Sequence, residues 1–207
     1  MKLNRLEPSS HVKGRFLLHM EDGTLLKVTE NEVLRFSLYP GMEIGEDMLA
    51  ALTEAGRESG AKNRAARMIG ARPLSRKELV KRLTDKGEDP AHAQAAADWL
   101  EDMGAMNDGD YARAIVRHYS GKGYGERRLR DELYRRGVPR ELWEDALAEA
   151  ADPEKGIDAY LQSKLQGQAG DPKALKRAAD GLARRGYAWP DIQAGQRRYG
   201  AEAEDCD

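Results

Sequence analysis

The chain has 207 residues, of which 34% are charged and 6% aromatic, so it can hold one or two small domains or one extended array. No apolar run reaches the roughly 18 residues of a membrane helix, and Lys2, Arg5 and Glu7 interrupt any signal peptide. The single cysteine, Cys206, excludes an intramolecular disulfide and fits a reducing compartment, so we expect a cytoplasmic protein without a membrane partner.

The net charge is −2, but the middle third of the chain is basic. Residues 1–60 carry −3, residues 61–140 carry +6 and residues 141–207 carry −5. A basic block between acidic ends can attract an anionic partner. The alternative is that these charges only solvate exposed helix faces.

The first sixty residues predict a small extension containing a β-hairpin and a helix. Two apolar-rich runs, 15–20 and 24–28, flank an Asp22-Gly23 turn, which is a strong hairpin signal. Residues 31–39 are ambiguous, because Thr29-x-x-Glu32 predicts a capped helix whereas alternating apolar residues predict a strand. Residues 46–59 predict a helix whose end is weakened by two glycines, at positions 56 and 60.

From residue 61 onward the sequence predicts three copies of a three-helix unit. Leu79-x-x-x-Leu83 before Gly87 recurs as Leu129-x-x-x-Leu133 before Gly137 and as Ala178-x-x-x-Leu182 before Gly186, at steps of 50 and 49 residues. Such a period is typical of a repeat array, and tandem helical arrays are more often binding surfaces than catalysts. The expected helices are 61–70, 75–86 and 90–103, then 109–120, 126–136 and 139–150, then 153–166, 172–185 and 190–199.

Local sequence signals mark the ends of these helices. Ser75-x-x-Glu78 is a capping box, and Asp-Pro pairs at 89, 152 and 171 place an N-cap acid before a proline. The three repeat glycines are expected to close the second helices in a left-handed conformation. The two third-helix tryptophans, Trp99 and Trp143, fit core packing better than base stacking. We expect a mainly α fold, with an extension at 1–60, repeats at 61–106, 107–151 and 152–200, and an acidic tail at 201–207.

Nothing in the sequence predicts catalysis, a metal or a cofactor. The four histidines lie in different elements without a pair at i+3 or i+4, and no serine, histidine and acid form a plausible triad. Residues 121–125, Gly-Lys-Gly-Tyr-Gly, lack the spacing and the strand of a phosphate loop, so we interpret them as a flexible turn.

The basic second helices contain five of the nine candidate contact residues. Glu126–Arg130, Asp131–Arg135 and Glu132–Arg136 are predicted helical pairs worth about 0.2–0.5 kcal/mol each. Arg127 and Arg128 have no acid four residues before them, and neither do three cations of the first copy. The candidates for binding a partner or nucleic acid are Arg72, Arg76, Lys77, Lys81, Arg113, Arg117, Lys122, Arg127 and Arg128.

Four segments occur in a specific order: Arg72-Pro73-Leu74-Ser75-x-x-Glu78-Leu79-x-x-x-Leu83, Asp108-x-x-Tyr111-Ala112, Gly123-Tyr124-Gly125-x-x-Arg128-Leu129-x-x-Glu132-Leu133-x-x-Arg136-Gly137-Val138, and Arg184-Arg185-Gly186-Tyr187. In this order and spacing the chain resembles the RecX family, bacterial regulators of the RecA recombinase. The structural residues of the resemblance are Ser75, Glu78, Leu79, Leu83, Gly87, Asp108, Tyr111, Ala112, Leu129, Leu133 and Gly137. Ala178 replaces an expected leucine and residues 167–170 lengthen a connection, so looser packing of the third repeat is expected.

The resemblance implies an elongated, curved array that binds, as a monomer, along the groove of a RecA filament on single-stranded DNA. It also implies lowered ATP hydrolysis and strand exchange, with DNA contacted either directly or through the filament. A rival interpretation is a helix-turn-helix transcriptional regulator, although no helix carries the polar cluster of a base reader. An enzyme is the third interpretation, and no set of residues supports it.

Overall fold

The computed structural model describes residues 1–166 and 171–204, the latter range without the side chains of 201–204. These residues form two compact units. The first takes Met1–Pro73 and Leu79–Met106, and the second takes Leu74–Glu78 and the described residues from Asn107 onward. Helices dominate both units, as the sequence predicts.

A three-stranded antiparallel sheet begins the first unit, in the order β1 (Leu3–Pro8), β2 (Arg15–Met20) and β3 (Leu25–Thr29). The predicted hairpin of β2 and β3 is confirmed, with Arg15 opposite Thr29. Strand β1 was not predicted. Only Leu3 of its six residues is buried, so β1 has little apolar alternation to reveal it.

The ambiguity at residues 31–39 resolves as a helix, α1 (Glu30–Arg35). The backbone N–H of Thr29 donates to Glu32 Oε2 at 2.7 Å, and its hydroxyl donates to the same oxygen at 2.6 Å. Glu32 also accepts a 2.7 Å hydrogen bond from the hydroxyl of Ser59. These bonds favour the helix over a strand that would have buried Leu34, which is 70% exposed.

The next helix, α2 (Glu46–Ala71), is continuous, so the two helices predicted at 46–59 and 61–70 are wrong as separate elements. The expected division between residues 60 and 61 therefore falls inside a helix. Gly56 brings α2 against β3, because a Cβ there would lie 2.7 Å from the carbonyl oxygen of Lys27. This glycine permits close helix–strand packing and does not end the helix.

Two shorter helices follow: α3 (Arg76–Asp85), whose residues from Leu79 onward belong to the first unit, and α4 (Pro90–Asp102), which lies wholly in it. As predicted, Asp89 caps α4, accepting from the N–H of Ala91 at 2.8 Å. Helices α2 and α4 pack against each other. Both bury alanines, Ala61 and Ala65 on α2 and Ala93 and Ala97 on α4, which is typical of closely packed helix pairs.

The second unit contains α5 (Asp108–Ser120), α6 (Glu126–Arg135) and α7 (Trp143–Leu147) around one core cluster. The helix predicted at 139–150 is shorter, since residues Arg140–Leu142 form a 3₁₀ turn that leads into α7. Trp143 is 8% exposed and donates its indole N–H to the carbonyl of Val138 at 3.0 Å, which supports its predicted place in the core.

Three further helices follow: α8 (Pro153–Leu165), α9 (Pro172–Arg184) and α10 (Trp189–Glu204). Asp152 and Asp171 cap α8 and α9 as predicted. Ala178 is 3% exposed in the core of this set, where the first two copies bury Leu79 and Leu129. Residues 167–170, Cys206 and the final residues of the predicted acidic tail lie outside the described residues.

Within residues 1–166 and 171–204, no helix has the length and apolar character to cross a membrane. The same residues contain no group of three or more histidine, cysteine or acidic side chains that could hold a metal ion.

Candidate functional site

The N-terminus of α6 is joined backbone to backbone with the end of α9. The N–H of Gly125 donates to the carbonyl of Arg185 at 2.9 Å, and the N–H of Arg127 donates to the carbonyl of Gly186 at 3.2 Å. A Cβ on Gly125 would lie 2.5 Å from the carbonyl carbon of Gly186, so a side chain has no room there. The turn at 121–125, predicted to be flexible, is therefore held against α9.

A second contact repeats this arrangement one copy earlier in the chain. Ser75 is the counterpart of Gly125, and its hydroxyl donates to the carbonyl of Arg136 at 2.5 Å. The hydroxyl oxygen of Ser75 also accepts a hydrogen bond from the N–H of Glu78 at 3.1 Å, which confirms the predicted helix cap. Gly137, at φ +70°, lies against the side chain of Lys77. We call these two contacts, Ser75 with Arg136 and Gly125 with Arg185 and Gly186, the repeat junctions.

The predicted ion pairs of α6 are partly confirmed. Arg130 pairs with Glu126 at 2.7 Å, whereas Arg135 pairs with Glu132 and not with Asp131. Glu132 is 2% exposed, and Arg128 approaches it at 3.3 Å and Arg136 at 3.7 Å. This one buried carboxylate therefore draws three arginines toward the body of the unit.

Arg136 also joins α6 to α5. Its guanidinium donates to the hydroxyl of Tyr111 at 3.1 Å and to the hydroxyl of Tyr119 at 3.0 Å. Burial opposes the charge of Arg136, but the two tyrosine hydrogen bonds outweigh it, so the pKa of Arg136 is raised. Arg136 is a structural cation.

Several candidate cations already have acidic partners. Arg128 pairs with Glu132, which lies four residues after it. Lys81 pairs with Asp85, also four residues after it, at 3.0 Å. The prediction of unpaired side chains is wrong for these two cations, because each has its acidic partner four residues after it and not before it. The α5 candidates are also paired: Arg113 with Asp110 and Glu149, and Arg117 with Glu149 at 2.5 Å.

Two candidates, Lys77 and Arg127, are exposed and form no ion pair within the described residues. They occupy the same position in successive copies, beside the two repeat junctions. Lys176 occupies the equivalent position on α9 and is likewise exposed, without an ion pair in the described part of the chain. Lys176 was not among the candidates predicted from the sequence, although the 49-residue step from Arg127 points to it. We call Lys77, Arg127 and Lys176 the cation row.

The other candidates have different surroundings. Lys122 is exposed, with its ammonium 5.8 Å from the ring centre of Tyr119, and it lines a cavity of about 660 Å³ beside the Gly125–Gly186 junction. The guanidinium of Arg185 lies there over Tyr160, 4.8 Å from its ring centre. The backbone N–H of Arg76 donates to Asp108 at 2.8 Å, and Arg72 lines a basic groove of the first unit.

Two protein-family models match this chain. The model of the RecX first three-helix domain matches residues 61–100, and that of the RecX second three-helix domain matches residues 107–147. The regulatory protein RecX of Xanthomonas axonopodis pv. citri (strain 306) is 38% identical over 136 residues, covering 65% of this chain and 84% of the relative. The chain belongs to the RecX family. The RecX protein of Mycobacterium sp. (strain KMS) is 35% identical over 147 residues, covering 66% of this chain and 79% of the relative.

Solved RecX structures share the fold. A crystal structure of regulatory protein RecX has a TM-score of 0.72 at 19% identity and covers 93% of this chain and 97% of that one. RecX from Lactobacillus salivarius has a TM-score of 0.64 at 19% identity, covering 70% of this chain and 97% of that one. The family is named for regulation and not for an enzymatic activity.

Most of the predicted RecX motif residues have a structural explanation. Leu79, Leu83, Leu129 and Leu133 are at most 1% exposed. Asp108 accepts from the start of α3, as already described. Gly87, Gly137 and Gly186 have positive φ angles, as predicted for the ends of the second helices.

Proposed function

We propose that this RecX-family chain is a non-enzymatic regulator of the RecA recombinase. In this proposal it acts in the cytoplasm, as a monomer, in homologous recombination and DNA repair. It binds in the groove of the RecA filament on single-stranded DNA and lowers its ATP hydrolysis and strand exchange. Membership of a family named for regulation supports this proposal.

The observation that carries the proposal is the cation row of the second unit. It supplies one exposed cation per copy, at the same repeat position on each second helix. A partner made of repeating subunits can offer equivalent acidic or phosphate groups to such a series of contacts. Because the contacts belong to one chain, each raises the effective concentration of the next, so weak individual contacts sum to stable binding.

The repeat junctions support the same proposal. A series of contacts gains affinity only when its spacing is fixed, since a loosely held element loses conformational entropy on binding. Within the second unit, the two junctions hold Ser75, just before α3, and Gly125, just before α6, through hydrogen bonds to backbone carbonyls. Lys77 and Arg127 each lie two residues after one of these positions and therefore start from a preorganised backbone.

The helix-turn-helix alternative gains no support from the third helices. In the second repeat the third helix is α7, which has only five residues and is short for a base-reading helix in a major groove. In the first set, buried alanines occupy much of one face of α4.

The test is to compare binding of the labelled protein to RecA filaments on single-stranded DNA, to the same DNA alone, and to duplex DNA, near physiological salt. We expect binding that is strongest to the filament, without sequence-specific protection of duplex DNA. A sequence-specific footprint on duplex DNA in the absence of recombinase would contradict the proposal.

A further inference from the structure

The second unit contains a cavity of about 660 Å³ that the proposed function does not use. It lies between the turn before α6, one face of α8 and the residues that follow α9. Apolar and aromatic side chains supply the largest part of its lining, among them Leu129, Leu147 and Tyr160. Pockets for small organic molecules have this size and this composition, with a few polar groups that converge on the ligand.

Tyr187 places a hydroxyl without a partner in this cavity. The residue is 8% exposed, and its hydroxyl forms no hydrogen bond with any side chain or backbone group in residues 1–166 and 171–200. The hydroxyl lies between two lining glycines, because a Cβ on Gly156 would overlap it and a Cβ on Gly123 would lie 4.0 Å from it. A buried hydroxyl without a partner costs free energy, which a ligand that accepts its hydrogen bond recovers.

Burial also keeps this hydroxyl protonated. It raises the pKa of Tyr187 above the ordinary value of 10.0, so the phenol is a hydrogen-bond donor at neutral pH. An anionic oxygen is therefore the ligand atom that suits it best.

Arg185 presents its charge beside the same hydroxyl. Its Nη1 donates to the carbonyls of Lys122 and Gly123, each at 3.2 Å, and its guanidinium lies over the ring of Tyr160. These contacts orient the guanidinium without cancelling its charge, and no carboxylate of the described residues pairs with it. A Cβ on Gly123 would lie 3.1 Å from this Nη1, so Arg185 and Tyr187 converge on one glycine of the lining.

The charge of the lining is positive. Its three cations, none of them ion-paired within the described part of the chain, are Lys122, Lys155 and Arg185. Two carboxylates also line the cavity, but Glu126 is balanced by Arg130 at 2.7 Å. The other, Asp152, accepts the N-cap hydrogen bond of α8 and keeps its charge. The cations therefore exceed the remaining carboxylate by two, which a dianion balances.

We propose that this cavity binds a small phosphate monoester whose organic part is apolar. Such a monoester carries about −1.5 to −2 charges at pH 7. Its oxygens accept hydrogen bonds from the hydroxyl of Tyr187 and from the guanidinium of Arg185. A monocarboxylate would leave one cation unbalanced, and a bare inorganic ion would leave the apolar lining in contact with water. The site adds a small-molecule ligand to the proposed function and does not depend on it.

The test uses the full chain, without recombinase or DNA, and isothermal titration with phenyl phosphate near neutral pH. We expect saturable binding, about tenfold tighter than that of inorganic phosphate, which lacks the apolar ring. Methyl phenyl phosphate, a diester with the same ring and one charge, should bind about threefold more weakly than phenyl phosphate because it leaves a cation unbalanced.

Two variants of the lining are each matched with a control. Tyr187→Phe removes only the hydroxyl and should weaken binding of phenyl phosphate about fivefold, whereas Tyr134→Phe, at a 68% exposed position outside the cavity, should bind like the wild type. Lys155→Gln should weaken binding about threefold, whereas Lys173→Gln, at an exposed position outside the cavity, should leave it unchanged.

Four outcomes would overturn the inference. They are no saturable binding of phenyl phosphate up to about 10 mM, equal affinity of the wild type and Tyr187→Phe, inorganic phosphate binding as tightly as phenyl phosphate, and the diester binding as tightly as the monoester. The last result would assign the cavity to a phosphodiester chain. Because no measurement involves the recombinase, failure of this site is distinguishable from failure of the proposed function.

Discussion

Gly125 and Gly186 touch through their backbones, although they lie 61 positions apart in the chain and in different repeats. Gly186 has a φ of +91°, so it is constrained by its own conformation as well as by its neighbour. A Cβ on Gly186 would meet the backbone nitrogen of Arg128 at 2.5 Å. The contact therefore requires glycine on both sides.

Replacing Gly125 with alanine should lower the free energy of unfolding by about 1–3 kcal/mol, because the added methyl group overlaps Gly186. The matched control is Gly70→Ala in α2, where nothing lies within 4 Å of the added Cβ. That variant should be unchanged or more stable by about 0.5–1 kcal/mol. Urea denaturation measures both variants. Equal stability of Gly125→Ala and the wild type would show that the junction tolerates a side chain.

Leu133→Ala should destabilise the second unit by about 2–5 kcal/mol, because the leucine is fully buried and its removal leaves a cavity. The neighbouring Tyr134 is 68% exposed, and Tyr134→Ala should stay within about 0.5 kcal/mol of wild type. The denaturant midpoints of the two variants make the comparison. An unchanged midpoint for Leu133→Ala would refute its inward orientation.

Arg127→Ala and Arg128→Ala should separate partner binding from stability. Arg127 is exposed without an ion pair among the described residues, so its loss should weaken filament binding about fivefold, or 1 kcal/mol, at unchanged stability. Arg128 pairs with buried Glu132, so its loss should cost about 1 kcal/mol of folding free energy. Filament affinity and thermal unfolding are measured for both. Unaltered affinity of Arg127→Ala would remove that residue from the contact surface.

Tyr187 should make stability depend on alkaline pH. Burial raises the pKa of its hydroxyl above the ordinary value of 10.0, so the folded state retains this proton longer than the unfolded state does. The associated stability is complete below pH 10.0 and is lost as pH rises from there toward the folded pKa. Tyr187→Phe should therefore lose less stability than wild type over this range in urea titrations. Parallel losses in the two proteins would contradict this assignment.

The features that the sequence predicted are local. Helix caps at Ser75, Asp89, Asp152 and Asp171 depend on residues within one turn, and the Asp22-Gly23 turn joins adjacent strands. The periodic leucines identify buried faces because one helix carries the whole signal. The periodic leucines of the second helices are therefore buried as expected.

The features that were missed depend on distant residues. Strand β1 is held by pairing with β2, and Gly56 remains inside a helix because β3 packs against it. Glu132 attracts Arg135 away from Asp131 because Glu132 is buried, which the spacing of charges does not indicate. The basic groove collects cations from α2 and α3, which become neighbours only in the folded unit.

RecA-dependent ATP hydrolysis on single-stranded DNA, titrated with this protein, tests the central claim most directly. We predict that the hydrolysis rate falls with added protein to a low plateau, and that Arg127→Ala shifts the titration to higher concentration. A rate that stays constant, or rises, across the whole titration would contradict the account.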